Sequence, residues 1–590
     1  MLMLMMTSWL VHADGGSQDT ADTILQSLLD QVVPVGNLAP IDYASWPQAK
    51  YKNAIAAGQV QGQVTIKANV QQSYLELIET SDSYNFELTT RPADFTVKRQ
   101  VLPDMQFDFV TYKNKFIPAK QQLSISDHPH WDYILAVGDI WQVEPNQAIY
   151  HVTMPFNLVE KNQNCVHNGV LTFVIDNRQN KAVQSPFYYQ ISSETCLYYK
   201  VDMWGNGQVS IAKSKDTTGS LSQGLLTQYQ QQQHDLLPTK TMAFLTAPKP
   251  DKKGSKQLGF SQLSLPNLIK PEDMTSYGLT LNGQHYVSQC QTRAGVYPYC
   301  AELVLPSYST AKTIFAGLSM VLLQQEYNEL YQQKVSDWVP ECNSAQWQDV
   351  TFLQLLNMTT GNYDSSYQTG DEGAEHSQIF FAAGQHNTKV KYACQQFKRK
   401  TTPGTKFVYH TSDTYLLGTA LNQFIKAKKG QQTDVYDYVF ANNLWKKLKL
   451  NPVAYSTLRT NDDIGQPFVG YGLFFTRDDV FKVSQYLATV SARLFNSQQA
   501  EQGALTSFAS TRYDKSFWKQ NIASHTNCNQ DHWLPYLSGY GGISVVLVQA
   551  NTQYFYFSDS GIYDWSQAIT GLDSEFPICS PTNLPFKDKQ

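Results

Sequence analysis

The hydrophobic pattern of the chain changes from short, strand-like runs to a helical period part-way along the sequence. This change limits the possible folds more than any other feature. Between about residues 59 and 211, short runs rich in Val, Ile, Thr, Tyr and Phe alternate with Asn, Asp, Gly and Pro. Such runs at fairly even spacing predict an antiparallel β domain, a sandwich or a barrel. After residue 309, apolar residues recur with the period of one long, mostly buried helix. We therefore expect two domains of different architecture.

The segment between these patterns sets the predicted boundary. Residues 248–259 (PKPDKKGSKQLG) have the composition of a linker. We predict a β-rich accessory domain at 14–247, a linker at 248–264 and a second domain at 265–590. Strand-like runs return near the C-terminal end of the chain, so the second domain is expected to hold an α+β or α/β sheet with helices packed on it.

The N-terminal segment predicts export. Residues 1–10 (MLMLMMTSWL) are apolar, and residues 11–13 resemble a small-residue cleavage site. A signal peptide at 1–13 is the prediction, although no basic residues precede the apolar run, which leaves room for a longer signal. A disordered apolar tail is the alternative. No later run reaches about 20 apolar residues, so we expect no transmembrane segment and a periplasmic or secreted protein.

The cysteines point to the same compartment. There are eight, an even number, with no C-x-x-C pair and no zinc-ligand spacing, so no metal or cofactor is expected. In an exported chain, disulfides are the natural interpretation, and free buried thiols are the alternative. Pairing neighbours along the chain gives 165–196, 290–300, 342–394 and 528–579.

Charge and composition exclude two classes of protein. The chain has 45 basic and 50 acidic residues, a formal net charge of −5. A general nucleic-acid binder needs a basic face to replace phosphate counterions, so nucleic acid is not an expected partner. With 42% hydrophobic and 16% charged residues, the chain can bury a core and is not expected to be disordered.

Residues 309–312 (STAK) fit the pattern S-x-x-K. The same pattern occurs at 210–213 and 516–519, so it is not specific by itself. Only Ser309 opens a strongly apolar helix, where the dipole of the first turn favours negative charge on Oγ. Lys312 follows one turn later on the same face, and burial would lower the pKa of its amine so that it can accept the serine proton. A helix N-cap serine beside a solvated lysine is the alternative.

Four further blocks follow this motif in order. They are 350–361 (VTFLQLLNMTTG), 402–418 (TPGTKFVYHTSDTYLLG), 470–479 (GYGLFFTRDD) and 538–543 (SGYGGI). Their order and spacing resemble the serine β-lactamase and penicillin-binding-protein superfamily, within it the class C-type esterases and the 6-aminohexanoate-dimer hydrolase group. The resemblance implies an α+β, β-lactamase-like C-terminal domain, with an antiparallel sheet flanked by helices plus a helical lobe.

The resemblance also implies roles for individual residues. Ser309 would attack an ester or amide carbonyl, and Lys312 would take its proton. Tyr409 would pass protons to the leaving group and later activate water, although taken alone it reads as a core aromatic residue. The oxyanion would lie between the backbone N–H groups of Ser309 and Ile543.

The residues predicted to contact the substrate include two departures from the family pattern. Gly541 and Gly542 would let the strand approach the substrate closely. Thr411 stands where the family has Asn or Ser, and its hydroxyl lacks the paired donor and acceptor of an amide. Tyr540 stands where the family has the Lys or His that helps bind a carboxylate, and a phenol supplies no charge. We therefore expect poor β-lactam recognition and a less anionic ester or amide substrate.

The leading interpretation is an exported serine hydrolase that cleaves a small-molecule or peptide-like ester or amide through an acyl-enzyme. A catalytically silent binding protein that keeps the fold is one alternative. A peptidoglycan D,D-peptidase or β-lactamase is another. The β domain is expected to bind a cell-surface polymer, to gate the cleft or to mediate assembly, and the sequence does not choose among these.

Three further groups receive non-catalytic predictions. His410 is expected to face solvent, because no nucleophile elbow or acidic partner accompanies it in the sequence. Residues 127–130 (DHPH) are expected to form a turn rather than a metal site. Residues 371–375 (DEGAE) are expected to form a solvated loop near the mouth of the cleft.

Overall fold

The computed structural model describes most of the chain. The described residues are 40–47, 55–56, 58–80, 101–142, 148–177, 183–212, 220–246, 259–365, 367–495, 504–505 and 511–579. The predicted signal peptide at 1–13 and most of the predicted linker lie outside them. Within these ranges, every helix is too short or too polar to cross a membrane.

The N-terminal half forms one antiparallel sheet of nine strands. The strands are β1 Gln61–Thr80, β2 Met105–Tyr112, β3 Lys115–Pro118, β4 Trp131–Leu135, β5 Gly138–Gln142, β6 Ile149–Glu160, β7 Val166–Asp176, β8 Val183–Thr195 and β9 Tyr199–Ala212. Strands β4 and β5 share one edge of β6, and β7 takes the other edge. The pairings run from β5 through β3, β2, β1, β9 and β8 to β7, and because β6 pairs with both β5 and β7, the sheet closes on itself. Of the two predicted architectures, the chain forms the barrel, with its strands in up-and-down order.

The interior of the barrel is packed with aromatic side chains. The rings of Phe109 and Phe116 stack with centroids 4.4 Å apart, and Phe173 meets Phe116 edge-on at 5.9 Å. Strand β6 is buried at every residue. Since side chains on a strand alternate between its faces, both faces of β6 must be covered. The second domain covers the outer one, where the Tyr299 hydroxyl donates to the carbonyl of Thr153 at 2.8 Å.

A second sheet of nine strands organises the C-terminal part. The remaining strands are β10 Thr239–Thr241, β11 Ser276–Leu281, β12 Gln284–Val287, β13 Gln291–Thr292, β14 Gly295–Val296, β15 Leu305–Pro306, β16 Phe474–Phe475, β17 Ala504–Leu505, β18 Thr511–Asp514, β19 Phe517–Asn521, β20 Trp533–Gly539, β21 Ile543–Gln549 and β22 Thr552–Phe557. The order is β10-β12-β11-β22-β21-β20-β19-β18-β17, and only β10 pairs in parallel. Strand β10 precedes residue 248, so this sheet takes its edge strand from the segment predicted to end the accessory domain.

Helices pack on both faces of the second sheet, on one another and, in one case, on strand β2 of the barrel. They are α1 Ser220–Asp235, α2 Ala243–Thr246, α3 Leu318–Glu326, α4 Val335–Trp338, α5 Phe352–Leu356, α6 Ser377–Ala382, α7 His386–Gln395, α8 Thr411–Lys429, α9 Trp445–Leu448, α10 Arg477–Leu494 and α11 Ser566–Glu575, with π-helical turns at Lys312–Gly317 and Asp437–Leu444. Helix α10 packs against β21 and β22, while α11 buries Ile569 and Leu572 with Tyr554 on the other face. This arrangement confirms the predicted α+β class.

Disulfides and polar contacts join these elements. All four cysteine pairs predicted from the sequence are bonded. The bridge from Cys165 to Cys196 ties the start of β7 to the end of β8, next to the second domain. There the N–H of Cys196 donates to Asp559 at 2.7 Å. Arg293 of the second domain also forms ion pairs with Glu194 and Asp202 of the first. The two domains therefore share a polar interface, and a disulfide within the first domain lies beside it.

Candidate active site

Ser309 lies at a sharp turn between β15 and the helix that follows. The preceding residue, Tyr308, has φ of 41°, a left-handed conformation that is unfavourable for a residue with a side chain. Its N–H donates to Asn164 Oδ1 of the first domain at 2.7 Å, which holds the turn in place. The N–H of Lys312 then donates to the carbonyl of Ser309 at 3.0 Å and begins the helix. The serine hydroxyl is thereby presented at the first turn, as the sequence predicts.

The Lys312 amine lies beside the Ser309 hydroxyl. Nζ is 2.8 Å from Ser309 Oγ, 2.8 Å from Thr411 Oγ1 and 3.3 Å from the carbonyl oxygen of Gly470. The lysine is only 2% exposed. This burial lowers the pKa of Lys312 to about 8, against the opposing effect of the nearby Glu372 carboxylate. A substantial fraction of the amine is thus neutral at mildly alkaline pH and able to accept a proton.

Tyr409 closes the other side of the serine. Its ring centroid is 4.9 Å from Lys312 Nζ, and its phenol is hydrogen-bonded to Ser309. Trp518 stacks on the ring at 5.8 Å. Burial, followed by the negative charge of Glu372, raises the pKa of Tyr409 well above its usual value. The phenol therefore stays protonated and can donate a proton in a relay with the amine.

Thr411 connects the lysine to an acidic side chain. It accepts from Lys312, and its hydroxyl donates to Glu372 Oε1. Its backbone N–H also donates to Glu372 Oε2 at 2.9 Å, so this carboxylate caps the first turn of α8. The sequence predicts that 371–375 form a solvated loop near the mouth of the cleft. The structure agrees for Gly373 and Glu375, which are exposed, but Glu372 is only half-exposed and lines the cavity. The loop folds inward and sets the carboxylate in the wall of the site.

His410 and Asp371 are both buried. The sequence predicts that His410 faces solvent and that Asp371 lies in a solvated loop, so both predictions are wrong for these residues. His410 is 2% exposed, with Nε2 2.9 Å from Asp371 and Nδ1 3.5 Å from Asp413. Its ring stacks on Phe397 at 4.3 Å. Burial acts to lower the pKa of His410, but the two carboxylates together raise it to about 9. The charged imidazole thus pins the loop that carries Glu372 to the start of α8.

This pinning predicts a pH-dependent contribution to stability. The pKa of His410 is about 9 in the folded state and about 6.5 in the unfolded state, so the folded state holds the proton more tightly. The stabilisation is fully present below pH 6.5 and is lost as the pH rises through 9. The difference in free energy of unfolding between wild type and His410→Gln, from urea titrations, should fall by about 3 kcal/mol from pH 6 to pH 10. A difference that does not change with pH would contradict the expectation.

A cavity of about 440 Å³ opens beside Ser309. Seven of its lining residues are aromatic: Tyr308, Phe381, Tyr409, Tyr471, Trp518, Tyr540 and Tyr563. Among the described residues that line it, Glu372 alone carries a charge. The cavity can therefore hold an apolar group next to the serine, with one fixed negative charge in its wall.

Tyr540 lies in the wall of this cavity, as its predicted role requires. Its ring packs against Tyr308 at 5.8 Å and against Tyr198 of the first domain at 6.1 Å. The first domain is therefore in direct contact with the turn between β20 and β21 that carries Tyr540.

The other predicted strand residues lie elsewhere. Gly541 and Gly542 form the turn between β20 and β21, with φ of 92° and 93°, and Ile543 is fully buried at the start of β21. None of the three lines the cavity. Instead Gly539 lies against the turn of the nucleophile, where a Cβ would come within 2.9 Å of the Ser307 carbonyl oxygen. Their placement does not support the predicted roles of Ile543, Gly541 and Gly542 at the substrate, because the glycines serve the turn.

The other S-x-x-K sequences lie on strands. Ser210 is within β9, and residues 516–519 span the hairpin between β18 and β19. Ser516 Oγ donates to the carbonyl of Lys515, and Lys519 Nζ lies 3.7 Å from Asp514. A spacing of three places two side chains together on a helix but not on a strand. Ser516 and Lys519 therefore form no serine–lysine pair, and Lys213 of the other sequence lies outside the described residues.

The histidine-containing groups offer no evident metal ligand set. His128 Nδ1 accepts from the backbone N–H groups of His130 and Trp131, each at 3.2 Å, so residues 127–130 form the predicted turn. Two other groups bring a histidine close to two cysteines, at 165, 167 and 196 and at 528, 532 and 579. In both, the cysteines are joined in a disulfide and supply no thiolate.

A helix-borne serine, a buried lysine on the same face and a facing tyrosine are the arrangement of a class of α+β serine hydrolases. Residues 279–444 match the family model described as Beta-lactamase. The predicted β-lactamase-like fold and the predicted class of serine hydrolase are therefore confirmed. None of the curated proteins compared with the chain matches it.

Several solved structures are similar to the chain. One, assigned as a 6-aminohexanoate-dimer hydrolase from Bacillus anthracis, is 15% identical over 57% of this chain and 84% of its own, with a TM-score of 0.40. A class C beta-lactamase is 15% identical over 55% and 96%, with a TM-score of 0.38. A D-stereospecific amidohydrolase from Streptomyces sp. is 16% identical over 54% and 98%, with a TM-score of 0.37.

Proposed function

We propose that the protein is an exported serine hydrolase that cleaves an ester or amide of a small molecule or peptide through an acyl-enzyme. The contact between Ser309 Oγ and the buried Lys312 Nζ, 2.8 Å long and open to the cavity, carries this proposal. The four disulfides support export, because such bonds persist in oxidising compartments. A silent binding protein would have no need to keep this pair next to Tyr409.

Acylation follows from the positions of these groups. Neutral Lys312 accepts the proton of Ser309 as Oγ bonds to the substrate carbonyl carbon. The oxyanion accepts hydrogen bonds from the backbone N–H groups of Ser309 and Tyr540, and Tyr540 replaces Ile543 in this role because its backbone lies beside Gly539 in the cavity wall. When the bond to the leaving group breaks, Tyr409 gives it a proton and regains one from the Lys312 ammonium.

Deacylation uses the same groups in reverse. A water molecule gives a proton to the relay of Tyr409 and Lys312 and bonds to the acyl carbon. As the second tetrahedral intermediate collapses, Lys312 returns a proton to Ser309 Oγ. The acid is released, and both the serine and the amine regain their starting states.

The cavity favours a neutral or cationic substrate. A substrate carboxylate would lie near Glu372 and would meet no cation at Tyr540, so it would be repelled and left unpaired. The aromatic lining favours apolar groups instead. This charge pattern disfavours a β-lactamase or a peptidoglycan peptidase, whose substrates carry a carboxylate close to the scissile bond.

The test of this proposal compares two chromogenic substrates. We expect p-nitrophenyl acetate to be hydrolysed with a kcat/KM at least about 100-fold above that of the anionic nitrocefin, since like charges in a cleft disfavour binding by several kcal/mol. Glu372→Gln should reduce this ratio about tenfold, because it removes the charge and keeps an acceptor for Thr411. Glu375→Gln, exposed on the same loop, is the control and should leave the ratio unchanged. Fast nitrocefin turnover without esterase activity would overturn the proposed substrate class.

A further inference from the structure

The first domain reaches the active-site cavity through one turn. This turn, residues 161–164, follows β6, and its last two residues, Gln163 and Asn164, line the cavity beside Ser309. The turn is braced on both sides. The Lys161 amine pairs with Asp132 at 2.8 Å, and the N–H of Glu160 donates to the carbonyl of Cys165 at 3.0 Å. A turn held in this way presents its side chains in a fixed geometry.

Asn164 has an orientation that its partners dictate. Its Oδ1 accepts from the N–H of Tyr308 at 2.7 Å, from the N–H of Gly472 at 3.0 Å and from the hydroxyl of Ser307 at 3.1 Å. Because backbone N–H groups only donate, the oxygen of the amide must face them. The Nδ2 group therefore points away from the turn that it holds, and it is buried with no partner among the described residues.

Gln163 carries a second donor of the same kind. The residue is 7% exposed, and its Nε2 is buried without a partner in the described part of the chain. Buried amide donors are almost always hydrogen-bonded, and leaving one unpaired is unfavourable. Two unpaired donors on adjacent residues of a cavity wall therefore indicate an acceptor that the substrate supplies. No anion is suited to the place, because Glu372 lies in the same wall.

We propose that Gln163 and Asn164 bind a neutral carbonyl oxygen in the acyl part of the substrate. This inference rests on the proposed function and narrows its substrate class to esters or amides with a second carbonyl, such as N-acylated amino acids and peptides. The β-rich domain is then not an accessory domain, because it completes the substrate site. Asn164 has a positioning role as well, since it holds the backbone of Tyr308 next to the nucleophile.

The test uses two substrates with one leaving group. N-acetylglycine p-nitrophenyl ester carries the second carbonyl, and p-nitrophenyl acetate does not. Gln163→Met keeps the length of the side chain and removes its amide. It should lower kcat/KM for the N-acetylglycine ester about tenfold, the loss expected when one hydrogen bond is removed and the carbonyl acceptor is left unpaired. It should change kcat/KM for the acetate less than about twofold. An equal effect on both substrates, or none on either, would overturn the subsite.

A control and a second measurement keep the two proposals separable. Asn162→Leu removes an amide from the same turn, one that donates to the Ala382 carbonyl at 3.2 Å, and should leave the substrate ratio unchanged. If wild type hydrolyses neither ester, the proposed function fails. In that case the subsite is tested by measuring the binding of N-acetylglycinamide to the Ser309→Ala variant by calorimetry, with and without Gln163→Met. If Gln163→Met weakens this binding about tenfold, the proposed subsite is supported; if the binding is unchanged, the subsite is rejected.

Discussion

Replacing Ser309 with alanine is expected to abolish covalent labelling by a fluorophosphonate probe and to lower kcat/KM for p-nitrophenyl acetate at least about 10⁴-fold. Among the described serine and threonine residues that line the cavity, only Ser309 and Thr411 have a hydroxyl hydrogen-bonded to a buried amine. The hydroxyl of Thr411, which also contacts Lys312, is committed to Glu372 and is buried. The alanine variant therefore has no second nucleophile to use. The alternative of a silent binding protein predicts that wild type itself is not labelled.

The chain provides a matched control for this experiment. Ser516 has the same S-x-x-K context, but its hydroxyl donates to the carbonyl of Lys515 on a hairpin. Ser516→Ala should keep full labelling and activity. Equal labelling of Ser309→Ala and wild type would move the nucleophile elsewhere and reject the mechanism.

Replacing Lys312 with methionine is expected to lower kcat/KM about 10³-fold, the usual loss when a general base is removed. Wild-type kcat/KM should rise with pH and level off above about 8, because only the neutral amine accepts the Ser309 proton and burial lowers the pKa of Lys312 to about 8. The methionine variant should lack this rise. Initial rates between pH 6 and pH 10 measure both effects. A flat wild-type profile, or full activity of the variant, would contradict the assignment of the base.

The same amine has a predicted effect on stability. The pKa of Lys312 is lower in the folded than in the unfolded state, so the unfolded state binds more protons between about pH 8 and 10.5 and stability rises with pH in that window. The free energy of unfolding of Lys312→Met minus that of wild type should thus be about 3 kcal/mol larger at pH 6 than at pH 11. Lys519→Met is the control. Burial also lowers the pKa of Lys519 to about 8, so it should show a similar stability shift but keep the activity and its pH profile.

The serine–lysine pair could be predicted from the sequence because its geometry is local. Residues three apart on a helix share a face, and the apolar run after Ser309 predicts burial of that face. The disulfides were predictable for a related reason, since each cysteine bonds to its next neighbour along the chain. The α+β class followed from the change of hydrophobic period.

The acidic groups of the site could not be predicted in this way. Asp371 and Glu372 contact His410 and Thr411 across 39 residues of sequence, and a run of acidic residues with a glycine reads as a solvated loop. His410 and Asp413 do lie three apart at the start of a helix, and that spacing was the one local signal of an ion pair. Of the strand block, Ser538, Gly539 and Tyr540 line the cavity, whereas Gly541, Gly542 and Ile543 do not, and the sequence does not show where along this block the contact with the cavity ends.

The sequence by itself determined which segments form strands and helices, which faces they bury, and the serine and lysine that share a helix turn. Only the tertiary structure decided that Asn164, 308 residues before Gly472, holds the nucleophile turn, and that the first domain lines the cavity. The physical reason is that hydrophobic periodicity records that a face is buried but not what covers it. The partner of each face, and so the composition of the site, is set by packing between segments that are distant in the chain.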